Sequence, residues 1–472
     1  MHIQPFYLTC LAHASYLIVD ERTKTAAVID PQRDIDQYLA EAEARGATIK
    51  YVILTHFHAD FIAGHLELRD HVGARIYLGA RASAEYDFTP LSDGDVIEFG
   101  DTRLSILETP GHTPEGISIV AHDSSKANAA PEAVFTGDTL FVGDVGRPDL
   151  LASIGFTAED LASWLYDSLH DKLMKLPDET LVYPAHGAGS MCGKNLGSET
   201  FTTIGEQRRV NYALQPMTKD EFRAIVTAEQ RPAPAYFLHD AVLNTKERAT
   251  LPETLAKSLT SLSLEGLLEL QRGGAVVVDA RGSADFAGAH IAGSINIALE
   301  GRYATWAGTV ISPHTPIVLV AEPGEQREAA MRLGRIGFDD VRGFLEGGMN
   351  ALDAHDDLLA SVARVTAVEL SEHLATDNAP LVLDVREPGE WNDGHLAESL
   401  NIPLGELAKR LGEVPRDRTL AVLCKTGYRS SLAASVLLAE GITDVQDAVG
   451  GIEAWRARDL PTTEPVAASC DS

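Results

Sequence analysis

Short apolar runs separated by polar or glycine-containing turns dominate the first 190 residues. "SYLIVD" and "TAAVID" predict adjacent strands, and "ARGATIKYVILT" predicts another. Branched and aromatic side chains fit such runs because a strand packs them on a pleated, half-buried surface. Residues 61–72 predict a helix, followed by strands near "ARIYLG", "VIEFG" and "RLSILET". Two more strands are expected in "EAVFTGDTLF" and "TLVYPAHGAG", and "FTAEDLASWLYDSLHDKLMKL" has the spacing of an amphipathic helix covering a sheet. Residues 198–250 read as helical or irregular and close this part of the chain.

The remainder repeats itself. "VVVDARGSADFAGAHIAGSINIAL" aligns with "LVLDVREPGEWNDGHLAESLNIPL", so that Asp279 and Asp384, His290 and His395, and Asn296 and Asn401 correspond at a constant offset of 105. "IGFDDVRGFLEGG" and "EGITDVQDAVGG" echo one another further on. Strand–helix alternation in units of this size predicts two small α/β domains. The expected division is 1–250, 262–358 and 364–463, with 464–472 a flexible Thr-, Ala- and Ser-containing tail.

Polar clusters fall where the strands of the first region end. "THFHADFIAGH" carries His56, His58 and Asp60, "PGHTPEG" carries His112, "TGDT" carries Asp138 and "PAHG" carries His186. A core strand fixes the backbone while its terminal loop faces outward, so four such loops predict an active-site rim. Imidazoles and carboxylates suit iron, manganese or zinc, and the absence of cysteine among them argues against a closed structural zinc site. Phe61 stands where a second metal would want another imidazole, and a phenyl ring offers no lone pair.

Charge narrows the partners. The chain of 472 residues has 39 basic and 69 acidic residues, a formal charge of −30, which disfavours broad binding to nucleic acid or anionic membranes. No apolar run reaches bilayer length, and "MHIQPFYLTCLAHASYLIVD" lacks the pattern of a signal peptide. Cys10, Cys192, Cys424 and Cys470 are too scattered for a disulfide framework, and the expected location is the cytoplasm. Self-association is left open.

The first 250 residues resemble the metallo-β-lactamase fold superfamily, which implies an αββα sandwich with metal loops along one edge. His56, His58, Asp60, His112, Asp138 and His186 match its pattern, and Phe61 departs from it. Within the superfamily, "THFHAD", "PGHTPEG", "TGDTLFVGDVGRPDL" and "VYPAHGAG" together resemble persulfide dioxygenases. That resemblance implies one Fe(II) per chain held by His56, His112 and Asp138, a facial triad that leaves three positions for persulfide, dioxygen or water. His58, Asp60 and His186 would orient ligands, bind water or assist proton transfer. Arg147 of "VGRPD" and Tyr183 are assigned to the substrate pocket, although Gly146 and Pro148 equally suit a purely structural loop. Cys192 is either a packed thiol or a temporary sulfur acceptor. The alternative reading is a binuclear zinc metallohydrolase acting on a thioester or related substrate. A persulfide-binding protein without turnover is a third reading.

"LAVLCKTGYRSSLAASVLLAEG" carries the other chemistry. Cys424 ends a buried-looking strand just before a helix, where backbone N–H groups, the positive helix end, Lys425 and Arg429 would stabilise a thiolate or persulfide anion. With "DVR", "GHLAESLNIP" and "GGIEAW", the last unit resembles a rhodanese, or sulfurtransferase, domain. Its six-residue loop from Cys424 to Arg429 favours sulfur over phosphate. The preceding repeat has Val320 and Ala321 near the cysteine position and resembles an inactive rhodanese. The combined expectation is oxidation of a low-molecular-weight thiol persulfide by dioxygen to thiol and sulfite, with sulfur transfer through Cys424 to sulfite giving thiosulfate.

Overall fold

Strand β2 (His13–Val19) is buried at every residue and so is covered on both faces, whereas β1 (His2–Leu8) alternates toward solvent along its second half. The computed structural model describes residues 1–126, 130–150, 155–228, 230 and 233–463. The expected tail 464–472, with Cys470, lies outside the described residues. In the first sheet β1 and β2 are followed in spatial as in chain order by β3 (Thr25–Ile29), β4 (Thr48–Ile53), β5 (Arg75–Gly79) and β6 (Thr89–Leu91). The second sheet holds β7 (Val96–Phe99), β8 (Thr102–Glu108), β9 (Ile117–Asp123), β10 (Ala133–Gly137), β11 (Leu181–Pro184) and β12 (Thr202–Thr203), again in chain order.

The inner faces of both sheets share one core, in which Tyr16, Ile18 and Ile29 join Ile106, Ile119 and Phe135. Each such side chain contributes roughly 1.5–3 kcal/mol on burial. On the outer face of the second sheet, Val134 and Val182 pack with Ala162, Leu165 and Leu169. Ala162 and Leu165 belong to the helix Ala158–Asp167, which Thr157 caps by accepting from the Asp160 N–H. This helix lies in the crossover that the parallel pair β10–β11 requires. The fold is the expected αββα sandwich. Strands β8, β10 and β11 run in one direction, so the loops that follow them open on the same edge.

One expected element is shorter than its periodicity predicts. The helix foreseen over 61–72 spans His65–Val72. Asn244 prevents an earlier start by engaging the backbone ahead of it: its side chain donates to the carbonyls of His58 and Phe61 and accepts from the Ala63 N–H.

Contacts divide the chain into two units, one of residues 1–254 with 334–337 and one of 255–333 with residues from 338 onward. The second unit contains β13 (Ser261–Leu262), β14 (Val276–Asp279), β15 (His290–Ile291), β16 (Ile295–Asn296), β17 (Ile317–Val320) and β18 (Val341–Leu345). These are followed by β19 (Leu359–Ala360), β20 (Ala363–Val365), β21 (Leu381–Asp384), β22 (Leu400–Asn401), β23 (Leu420–Leu423) and β24 (Val445–Ala448). Two five-stranded sheets result, ordered β13-β18-β17-β14-β16 and β20-β24-β23-β21-β22, and their strand pairings are parallel. Central strands β17 and β23 are buried throughout, as parallel strands covered on both faces must be. Among the described residues, no helix is long and apolar enough to cross a membrane.

Candidate metal centre and thiol loop

Asp30 begins the construction of the first site. Its carboxylate accepts from the Thr55 N–H and the Thr55 hydroxyl, both at 2.8 Å, and the Thr55 Oγ1 lies 2.9 Å from His56 Nδ1. The loop after β4 is thereby fixed with His56 Nε2 turned toward Asp138. Glu115 pins the next residue by accepting from the Phe57 N–H at 2.9 Å. His112 Nδ1 is 2.8 Å from the Arg147 carbonyl oxygen. Asp138 follows β10 immediately after Gly137, whose φ of +53° is in the left-handed region that favours glycine.

Three donors converge. Asp138 Oδ2 lies 3.7 Å from His56 Nε2 and 3.4 Å from His112 Nε2, and the oxygen is buried without a hydrogen-bond partner. A buried carboxylate oxygen left this way is costly unless a cation completes it. The three ligand atoms all fall within 4.8 Å of one another, a spacing one metal ion can bridge. Burial lowers the pKa values of His56 and His112, leaving their lone pairs available. Burial opposes charge on Asp138, but His186 and His56 outweigh it and hold the carboxylate well below its ordinary range. Neutral imidazoles and an ionised carboxylate are the forms that ligate a metal. A cavity lined by these residues and by Thr55, Thr109, Thr113 and Thr139 opens on the same donors.

A second group lies beside the first. His186 Nδ1 is 2.7 Å from Asp138 Oδ1, and His186 Nε2 is 2.9 Å from Asp60 Oδ2. His58, Asp60 and His186 also present ligand atoms within 4.8 Å of one another. Burial disfavours charge on His186, but the Asp138 and Asp60 carboxylates raise its pKa well above the ordinary value. The Phe61 ring fills this side, 4.0 Å from the ring of His13 and 4.4 Å from that of His58. His13, fully buried with neither ring nitrogen hydrogen-bonded, was not singled out from the sequence. Asp30 and Asn244 also escaped notice, because each acts on loop backbone remote in sequence. Glu115 was visible in "PGHTPEG", but nothing local marked its reach to Phe57.

Arg147 and Tyr183, the two residues assigned to the substrate pocket, are both held by neighbouring side chains. Arg147 is 3% exposed, and Asp149 accepts from its guanidinium at 2.7 and 2.6 Å. Its backbone N–H donates to the Cys192 carbonyl, so this residue staples two loops and supports His112 through its own carbonyl. The Tyr183 ring stacks on Phe135 at 5.5 Å and packs against the inter-sheet core, because strand alternation turns it inward. Cys192 is 1% exposed, and its Sγ lies within 4.8 Å of ligand atoms of Asp138 and His186. Burial, with the Asp60 and Asp138 charges, pushes its pKa up to about 12, which favours a packed thiol over a sulfur acceptor.

Cys424 follows β23 directly, and the helix Tyr428–Ala439 begins four residues later. The Gly427 N–H donates to Cys424 Sγ at 3.1 Å, made possible by the Gly427 φ of +104°. The cationic side chains are less dedicated to sulfur than the sequence predicts. Arg429 forms a bidentate pair with Glu390 at 2.6 and 2.8 Å, and exposed Lys425 lies 3.7 Å from Glu453. Nearby carboxylates compete for both charges. In the first repeat Val320 and Ala321 are buried at the corresponding strand end, with no thiol there.

Residues 8–186 match the metallo-beta-lactamase superfamily, and residues 263–355 and 366–458 each match the rhodanese-like domain. Persulfide dioxygenase ETHE1, mitochondrial, of Bos taurus is 32% identical over 222 residues, covering 47% of this chain and 78% of that protein. Hydroxyacylglutathione hydrolase GloC of Haemophilus influenzae is 27% identical over 233 residues, covering 45% and 97% respectively. The solved metallo-beta-lactamase from Staphylococcus aureus subsp. aureus COL is 30% identical with a TM-score of 0.64, covering 73% of this chain and 98% of that one. The bovine, human and mouse ETHE1 proteins are mitochondrial, which overturns the expected cytoplasmic location. Scarce, scattered cysteines do not single out one compartment.

Proposed function

Because the chain belongs to the ETHE1 persulfide dioxygenase family, as a metallo-β-lactamase-fold domain fused to rhodanese-like domains, we propose that it oxidises a low-molecular-weight thiol persulfide. The observation that carries this reading is the unsatisfied Asp138 Oδ2 between His56 Nε2 and His112 Nε2. His56, His112 and Asp138 would hold one Fe(II), which supplies the redox chemistry with dioxygen when bound. The overall reaction, RSSH + O2 + H2O → RSH + SO3²⁻ + 2H⁺, balances in atoms and charge. Thr55 and Arg147 orient the two imidazoles through their Nδ1 atoms, and His186 restrains Asp138 through the carboxylate oxygen turned away from the donor set. His186 and Asp60 offer a route for protons at the edge of the site.

Cys424 then takes the outer sulfur of a second persulfide: the thiolate forms a new S–S bond as the RS–S bond breaks and RSH leaves. Attack by sulfite on the bound sulfur releases thiosulfate and regenerates the thiolate. The proposed division of labour follows the segments 1–250, 262–358 and 364–463, with the middle one inert.

Purified, iron-reconstituted protein is expected to consume oxygen with a small thiol persulfide and to release sulfite when Cys424 is replaced. Asp138→Ala should remove both iron and oxygen consumption. The second group, His58, Asp60 and His186, favours a competing reading as a binuclear hydrolase. Metal analysis separates them: one iron per chain supports oxygenation, and two zinc ions with thioester hydrolysis and no oxygen uptake sink it.

A further inference from the structure

A line of buried groups leads inward from the Cys424 sulfur. Sγ lies 3.5 Å from Ser430 Oγ, and Ser430 Oγ donates to Asp447 Oδ1 at 2.6 Å. Cys424 and Asp447 are each 1% exposed and Ser430 is 0% exposed. The charged group facing Asp447 from the adjacent β20 is Arg364, its partner in register, with Nε 3.4 Å from Oδ2. On the other side β23 contributes the uncharged Val422. Around the thiol, Arg429 is paired with Glu390 from Pro388–Asn392, and Lys425 lies by Glu453 from Gly451–Arg456. Burial raises the Asp447 carboxyl above the ordinary range, with Ser430 and Arg364 opposing it.

The inert repeat supplies an independent comparison. Register aligns Val320 with Leu423, which pair with Asp279 and Asp384, and Phe344 with Asp447, which pair with the equivalent Leu319 and Val422. Ala321 then stands for Cys424, Arg327 for Ser430 and Phe344 for Asp447. All three members of the line are missing where the thiol is missing.

We infer that Asp447 is a positioning residue that holds the Cys424 proton through Ser430 and thereby sets when the sulfur is a nucleophile. The inference rests on the proposed transfer role of Cys424. Ser430 has one hydroxyl proton, so the line has two directions. With Asp447 ionised, Ser430 donates to the carboxylate and accepts from the thiol. In the other state the thiol proton has passed to Ser430 Oγ as the Ser430 proton passed to Asp447. The protonated carboxyl then donates to Ser430, and Ser430 donates to the thiolate. One negative charge moves from oxygen to sulfur, and no proton reaches solvent. Once sulfane sulfur is bound, the anion lies on the outer sulfur, and release of thiosulfate returns it to Sγ.

The test is the pH dependence of Cys424 alkylation by iodoacetamide in the full chain, quantified on the Cys424 peptide by mass spectrometry. Two groups sharing a proton give a two-stage profile in the native protein. Asp447→Asn should collapse it to a single step lying between the two stages. Ser430→Ala removes the donor to the thiolate and should move the main step up by about one pH unit. Ser430→Thr keeps the hydroxyl and should keep two stages. Asp447→Asn and Ser430→Ala profiles that superimpose on the native one overturn the inference. A purely structural role would lower the amplitude without moving a midpoint, and would overturn it equally. If one variant fails to fold by circular dichroism, the other decides. Thiosulfate formation is measured in parallel: its absence in the native protein with the shifts as expected would refute the transfer reading and leave the proton arrangement standing.

Discussion

The two rhodanese-like repeats differ far less in what holds them together than in what they can do. In one, Arg281 is bidentate to Asp279, and in the other Arg386 is bidentate to Asp384. Asn296 donates to the carbonyls of Asp279 and Arg281, as Asn401 does to those of Asp384 and Arg386. His290 stacks on Phe286 at 3.8 Å and His395 on Trp391 at 3.4 Å. Thus the repeated motifs brace a strand end and a turn. The proposed sulfur chemistry resides in the loop between β23 and its helix, which only the second repeat equips with a thiol. The first repeat still touches that loop: Tyr428 donates to the Ala298 carbonyl at 2.7 Å, and Ser431 to Asn296 Oδ1 at 2.8 Å. A repeat can lack the thiol and keep its scaffold because different residues carry the two.

The strongest way to break the comparison is at the thiol. Cys424→Ser should lower thiosulfate formation by at least about 10³-fold while iron-dependent oxygen use persists. Adding Ala321→Cys to that variant should restore nothing, since the first repeat lacks the surrounding groups. Product analysis with persulfide and oxygen decides, and recovered thiosulfate would show that the cysteine alone suffices. The scaffold is tested next. Asp279→Ala and Asp384→Ala each leave a buried guanidinium unpaired and should cost about 3–5 kcal/mol in urea unfolding, in both repeats alike. A cost near zero for Asp279→Ala would mean that the matching contacts are not equivalent.

Smaller effects separate ligands from their supports in the first domain. His58→Ala should weaken iron binding by about 10–100-fold, in contrast to the outright loss expected for His112→Ala. Equal loss in both, by metal analysis, would move His58 into the ligand set. The least effect is expected at Lys425, which is exposed and next to Glu453. Lys425→Ala should change sulfur transfer by less than about fivefold, the scale of one screened surface charge. A larger drop would show that the side chain swings onto the sulfur during transfer.

Local pattern determined the strands, the tandem repeat, the candidate donors His56, His58, Asp60, His112, Asp138 and His186, and the position of Cys424 before a helix, whereas only the family resemblance singled out His56, His112 and Asp138 among them. These were legible because strand periodicity, loop position and ligand type are all properties of short stretches. The tertiary structure decided which groups meet across long separations. Asp30 reaches Thr55, Asn244 reaches the backbone of 58–63, and Asp447 reaches Ser430, none with a motif to announce it. It also decided where charge goes. Arg147 and Arg429 read as free cations, but in the fold Asp149 and Glu390 close upon them. A side chain's charge is written in its residue type, whereas its partner is set by packing, which brings distant carboxylates within hydrogen-bond reach and excludes the water that would otherwise compete.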